Sequence, residues 1–428
     1  MMIRPRWRTG DGPDMETLRS CMQEHLAQLP RLSRLRRYYE GRHDIAGRSK
    51  MNGMPNNRLI HGFPRYISTM AAGYLIGSPV DYLPEDEADT YAKAALEAIL
   101  HQYRSGNMDS VDAELARMAS IYGKAVELVY ADETARPRSS TLDPQNAFVV
   151  YDDTVAMRPL FGVYYTPMRR ADGQFKEWRV HVFTDAQCTV YRVSTLADFR
   201  PATVESEQVH YFGGVPLVEF WNDESEKGDF EPVLSLIDAY DSLQSERMND
   251  KQQFVDALLL LYGCTMETDE RGRTPGQQLR EDKVLALPDS DARAEWLCKQ
   301  MNEADTEVLK RALKDDIHKM SLVPDLTDES FAGNTSGVAM RYKLLGLEQL
   351  TKIKERWFRE GLRSRLRLYA GFMRRRGAAA VDAEAVRIVF TRALPVNELE
   401  IAQTLKALHG LVDQEALARR AEALMGQK

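Results

Sequence analysis

Asp152 and Asp153 are adjacent carboxylates, the residue type that holds a pair of divalent cations, and the chemistry they would support is two-metal nuclease cleavage. Such a centre needs further ligands, and the Glu281-Asp282-Lys283 run that would add an acid and a lysine lies far along the chain. The pair follows an apolar β-type run ending at Tyr151 and precedes Thr154, a pattern that favours a turn between two strands. His25, His43, His61, His101, His181, His210, His318 and His409 make no His-x-x-x-His or His-x-Cys spacing. Cys21, Cys188, Cys264 and Cys298 are scattered, with no Cys-x-x-Cys, and read as reduced thiols rather than as a zinc site or a disulfide frame. Gly123-Lys124-Ala125 lacks the upstream glycine and the Ser or Thr of a phosphate loop, and Gly10-Asp11-Gly12 is an isolated pair. The chain is therefore expected to be no enzyme, to need no cofactor or metal, and to leave ATP hydrolysis to a partner.

Cations are arranged more suggestively. Lys310, Lys314 and His318 recur every four residues with Arg311 beside them, a polar stripe set apart from the row Leu309, Leu313 and Ile317. By pattern alone this is a solvated helix face. The stretch from Val338 to Arg376 carries twelve Lys and Arg against three Glu, leaving the remainder of the chain near −16 against a total of −7. Two readings stand for it, contact with DNA and salt-bridging to acidic neighbours, and the abundance of acid favours the second.

The elements that must position these residues follow from periodicity. Helical spacing runs from Met15 to Tyr39 through Leu18, Cys21, Met22, Leu26, Leu32 and Leu35, with Pro30 predicting a kink or a split and Gly41 a stop. An irregular basic segment, Arg42 to Arg58, leads to the apolar stretch Phe63 to Ile76. Helices are predicted near Ala88–Tyr103 and Val111–Tyr122. From Ala125 the period changes to short β-branched and aromatic runs, at Ala125–Tyr130, Ala147–Tyr151, Leu160–Tyr165, Trp178–Phe183, Cys188–Tyr191 and Val215–Trp221, which read as an antiparallel region.

A long helix is predicted from Pro232, with an apolar face of Ile237, Tyr240, Leu243, Met248 and Val255. Strand-like pieces follow at Leu258–Tyr262, Lys283–Leu287 and Ala294–Leu297, then a helix from Asp305 to Met320. A loop, Leu322 to Gly337, precedes a very long helix in which Gly346, Gly361 and Gly371 are candidate bend points. One strand-like piece, Val386–Phe390, and two short helices near Asn397–His409 and Asp413–Met425 close the chain. The fold class is α+β. The 428 residues allow two to four folding units, no run approaches the roughly 20 apolar residues of a membrane helix, and the N-terminus has no apolar core of a secretory signal, so residence in the cytoplasm is expected.

Two ordered signatures remain. One is Tyr38-Tyr39-Glu40-Gly41 with Ile45, then Asn56-Asn57-Arg58-Leu59-Ile60, Phe63-Pro64 and Gly73 through Tyr82. The other is Asn334-Thr335-Ser336-Gly337 running on to Glu348, and Val150–Asp153 and Ile388–Asn397 join them in order. Together they resemble the portal (head–tail connector) proteins of long-tailed bacteriophages over most of the chain. The resemblance implies a homo-oligomeric ring of about twelve subunits. It implies a wing at 1–231, a first stem helix at 232–257, a clip at 258–304, a second stem helix at 305–321, a tunnel loop at 322–337, a long bent wing helix at 338–376 and an α-helical crown at 377–428. It also implies double-stranded DNA passing through non-specifically, and terminase, capsid, scaffolding and head-completion proteins as partners, with no membrane. The expected placement is the virion vertex.

Candidate channel residues are then Asp325, Thr327, Asp328, Glu329, Ser330, Gly333 and Asn334 in the loop, and Lys310, Arg311, Lys314 and His318 on the stem. Repeated around a ring, that stripe would offer phosphates a weak, sequence-independent contact, which stands level with the solvated-face reading. A helix pair tipped by a small β module is a protruding hairpin whose apolar stripes need neighbouring subunits to cover them. The alternatives are another head–tail adaptor ring and, on less support, a metal-dependent DNA-processing enzyme.

Overall fold

The computed structural model describes residues 2–4, 13–51, 54–86, 88–255, 258–262, 273, 293–297, 303–327, 340, 342–392 and 406. Helix and antiparallel sheet are mixed throughout, in agreement with an α+β class. The chain forms two compact units. One comprises Met1–Arg42, Gly62–Ser235 and Asp316–Lys428; the other comprises His43–His61 and Leu236–Asp315.

In the first unit, α1 (Met15–Tyr39) starts where the Asp14 carboxylate accepts the Thr17 amide at 2.7 Å. The expected split at Pro30 does not occur. Pro30 is exposed and α1 continues through it, because Leu18, Cys21 and Met22 before it and Leu32, Leu35 and Tyr38 after it are all buried on one side. α2 (Phe63–Ile76), α3 (Thr90–Ser105) and α4 (Met108–Tyr122) follow, close to the predicted positions.

The β region is antiparallel, as the short β-branched and aromatic runs predicted. Strands β4 (Ala147–Tyr151), β5 (Pro159–Arg169), β6 (Phe175–Phe183), β7 (Gln187–Thr195) and β8 (Arg200–Val209) form one five-stranded meander. β3 (Pro137–Leu142), β2 (Lys124–Ala131) and β9 (Leu217–Trp221) form a second sheet in that order. α1 lies on the meander, where Leu18, Cys21 and Met22 meet Phe148, Phe161, Val163, Val180 and Val193. Ile3, assigned no structure from sequence, bridges Val150 at the β4 edge, and the Tyr151 amide donates to its carbonyl at 3.0 Å. β3 and β8 were also missed. Both are strongly polar, and β8 exposes most of its length.

Across the other sheet lies α7 (Leu345–Arg375), one continuous helix. Phe358, Leu362, Leu366 and Tyr369 pack there with Phe220, Val218, Leu115 and Ile99. Two of the glycines read as bend points serve close approach. A Cβ on Gly361 would stand 2.5 Å from the Phe220 ring, and one on Gly371 would stand 2.5 Å from the Phe212 carbonyl oxygen. The predicted strand at Val386–Phe390 appears as β12 (Val386–Val389), paired antiparallel with β1 (Asp81–Pro84), which periodicity had not marked.

The second unit holds most of α5 (Leu234–Val255) and α6 (Glu303–Ser321) together with the antiparallel pair β10 (Leu258–Tyr262) and β11 (Arg293–Leu297). Pro232 sits in a 3-10 turn just before α5. The predicted strand at Lys283–Leu287 and, apart from Lys406, the two C-terminal helices lie outside the described residues.

Candidate functional site

Lys310, the first member of the α6 stripe, is held in an ion-pair network. Lys310 donates to Glu307 at 2.7 Å, and the other Glu307 oxygen takes Arg247 of α5 at 3.0 Å. Arg247 also binds Glu303, so the chain Lys310–Glu307–Arg247–Glu303 joins α5 to α6. Arg311 is exposed and Lys314 half-buried. Acids at the start of α6 and His318 and Lys319 at its end match the helix dipole.

In the first unit, His318 points at the chain that follows. Its Nδ1 donates to the Val323 carbonyl at 2.9 Å, and its ring meets Phe63 and Tyr66 edge-on at 5.8 and 5.7 Å. Leu322 turns the chain with φ +59°, a left-handed value that disfavours side chains. Val323 is fully buried. The Tyr66 hydroxyl donates to the Pro324 carbonyl at 2.8 Å and accepts the Leu326 amide at 3.0 Å. Asp325 Oδ1 accepts both the amide and the hydroxyl of Thr327, at 3.0 and 2.6 Å. The structure thus brings His318, Asp325 and Thr327 into one short segment. Asp328, Glu329, Ser330, Gly333 and Asn334 lie outside the described residues.

Sequence reasoning missed a polar seam in the second unit. The segment 43–61 lies along α5 as a strap. Asp241 accepts His43 Nδ1 at 2.5 Å, His61 Nδ1 at 2.8 Å and the His61 amide at 2.9 Å. Ser245 takes the Leu59 amide, Asn249 takes the Asn57 amide and side chain, and Glu246 binds both Arg48 and Lys50. Ile237 and Tyr240 are buried at the start of α5, and beyond them Asp241, Ser245 and Asn249 are buried while Met248 is exposed, so past Tyr240 the seated row is polar. The signal was available in the four-residue spacing of those three residues, hidden by the apolar row beside it.

The cations of α7 that the structure describes mostly meet acids of the same unit, which bears out the salt-bridge reading for them. Lys354 binds Asp229, which also accepts Ser120 and Asn222 side chains. Arg365 lies between Glu127 and Asp112, and Arg363 and Arg367 reach Glu384. Arg392, from the Ile388–Asn397 stretch, ties Glu348 of the second signature to Glu355 at 3.2 and 2.6 Å.

The remaining candidates are structural. Asp152 Oδ1 accepts from the Thr154 amide and hydroxyl and from the Arg158 amide, closing the turn between β4 and β5. Lys124, of the Gly-Lys pair, is buried on Glu219 at 3.2 Å, out of reach of a phosphate. Burial pushes the Cys21 thiol up to about 12 and Cys188 to about 11, away from thiolate chemistry. Among the described residues no three His, Cys, Asp or Glu converge as a metal site, and no helix is long and apolar enough to cross a membrane.

These polar clusters hold elements of the fold against one another. The family model described as "Phage portal protein, SPP1 Gp6-like" matches residues 18–427, and the chain belongs to that family. The portal protein of Bacillus phage SPP1 is 23% identical over 417 residues, covering 92% of this chain and 80% of the relative. The portal protein of Clostridium phage phiCD119 is 22% identical over 435 residues, covering 95% and 92%.

Proposed function

We propose that this chain is the repeating subunit of a portal ring at one vertex of a phage capsid, through which DNA is packaged and later released. The observation that carries the reading is the apolar surface left uncovered on the helix pair of the second unit. Met248 on α5 is 43% exposed, and Val308 and Leu309 on α6 are 69% and 50% exposed. Side chains of this kind beside a seam that is already polar need a cover, and head-to-tail neighbours in a closed ring supply one on every subunit. In this reading α5 and α6 are the stem, the β10–β11 pair belongs to the clip that docks the terminase motor, and the segment after α6 is the loop facing DNA. Residues 1–231 with α7 form the wing, and the chain beyond 377 forms the crown.

The chain is then structural and no enzyme. Packaging work comes from the terminase ATPase, and scaffolding, capsid and head-completion proteins are the other partners. Contact with DNA is weak and sequence-independent, as a chain of net charge −7 requires. Arg311, exposed on α6, is its best-placed stem cation, since Lys310 is paired with Glu307. Single-particle images of the purified protein should show rings of about twelvefold symmetry with a central hole. Deleting residues 328–332 should leave rings intact and impair packaging. A monomer with metal-dependent nuclease activity would overturn the proposal.

A further inference from the structure

We infer that Tyr66, on α2, is a positioning residue that sets the path of the chain as it leaves α6. This rests on the reading of the segment after α6 as the DNA-facing loop. Leu322 adopts a left-handed conformation although it carries a side chain, a state that persists only where the surroundings hold it. Three contacts do so. The Val323 side chain is buried and its carbonyl is taken by His318. One phenol hydroxyl then spends its donor on the Pro324 carbonyl and an acceptor site on the Leu326 amide, spanning Asp325 between them. The Asp325–Thr327 turn closes the far end.

Tyr66 is itself fixed. α2 buries Ile67, Ser68, Ala71 and Leu75, and the Phe63 and Tyr66 rings clasp the His318 imidazole from α6. The direction in which the chain departs at Thr327 is therefore dictated by a residue 258 positions before Pro324, on a helix whose apolar face is buried. Losing the hydroxyl frees the root without touching the helix pair read as the subunit interface. The loop then starts from a variable position relative to DNA.

The test uses full-length rings carrying Tyr66→Phe, which removes the hydroxyl and keeps the aromatic packing. Hydrogen exchange at Leu326 and the yield of packaged DNA are both measured. Rings should form normally, Leu326 exchange should rise about tenfold, and packaging should fall. Wild-type exchange together with wild-type yield in Y66F overturns the inference. Leu326→Pro removes the amide from the loop side and leaves α2 intact. It should lower packaging too, and normal yield from L326P beside an impaired 328–332 deletion overturns the inference whether or not Y66F folds. Normal yield from the 328–332 deletion instead removes the DNA-facing reading. The Leu326 exchange result does not depend on DNA and still decides the clamp.

Discussion

Arg365 Nε lies 2.8 and 2.9 Å from the two carboxylate oxygens of Glu127, and neither side chain reaches solvent. The same guanidinium stands 2.6 Å from Asp112, with the Phe220 ring 5.3 Å beneath it. Burial pushes the Asp112 carboxyl up to about 6 while Arg365 pulls against it. Burial also works against the charge on Arg365, and the two carboxylates outweigh it. One cation serving two buried acids joins α7, α4 and β2 at a single point.

Removing only the cation strands Glu127 in the core. Arg365→Met should therefore cost about 3–5 kcal/mol in denaturant unfolding of the full chain. Replacing all three members together, with Glu127→Leu and Asp112→Leu, should cost far less, since no charge is left unpaired. A single Arg365→Met variant that unfolds at the wild-type midpoint would show that the group contributes nothing.

This group also shows what the sequence could and could not reveal. The twelve cations near α7 were visible as composition, and the acid surplus elsewhere favoured pairing over DNA. The partners were not visible: Glu127 lies 238 positions from Arg365, and Asp229 lies 125 from Lys354. Local pattern found α1, α3 and α4, which bury a helical row of their own, and the meander strands β4 to β7, which carry β-branched and aromatic runs. It failed for β3 and β8, whose polar residues carry no alternation and whose strand state comes from the neighbouring ladder. It gave β12 no partner, because β1 lies 300 positions away. The segment after α6 was legible only as a gap between predicted helices, whereas Tyr66, which holds residues 324–326, looks like any amphipathic helix residue until the tertiary contact exists.

His25 should make the first unit acid-sensitive. It is buried under Phe148, stacked at 4.5 Å, with Nε2 facing the Gln145 carbonyl at 3.2 Å and the Tyr165 hydroxyl at 3.1 Å. Burial lowers its pKa from 6.5 to about 4 despite the Gln145 contact. The unfolded chain thus takes up a proton that the folded one refuses, so the stability this group contributes is full above pH 6.5 and drains away as pH falls towards 4. The loss over that window is roughly 3 kcal/mol. Thermal unfolding at neutral and mildly acid pH should show it, and His25→Gln should flatten the slope. An identical pH profile in wild type and variant would assign the sensitivity elsewhere.

Asp241 should control the strap. Burial alone would raise its carboxyl, but hydrogen bonds from His43 and His61 prevail and it is lowered. Its contribution is therefore present above the ordinary carboxylate value of 3.8 and is lost as pH falls through the lower folded value. Asp241→Asn keeps the shape but exchanges a charged acceptor of three hydrogen bonds for an amide with one acceptor oxygen, which leaves a donor facing His43 or His61. The strap should open more readily by about 3 kcal/mol, since hydrogen bonds to a charged group are each worth about 1.5–3 kcal/mol. Trypsin reads this directly, because Arg48, Lys50 and Arg58 all lie within the strap. Cleavage there should accelerate by at least about tenfold in D241N while cleavage in the first unit keeps its wild-type rate. Equal strap cleavage in both proteins would mean that Ser245, Glu246 and Asn249 hold the segment without Asp241.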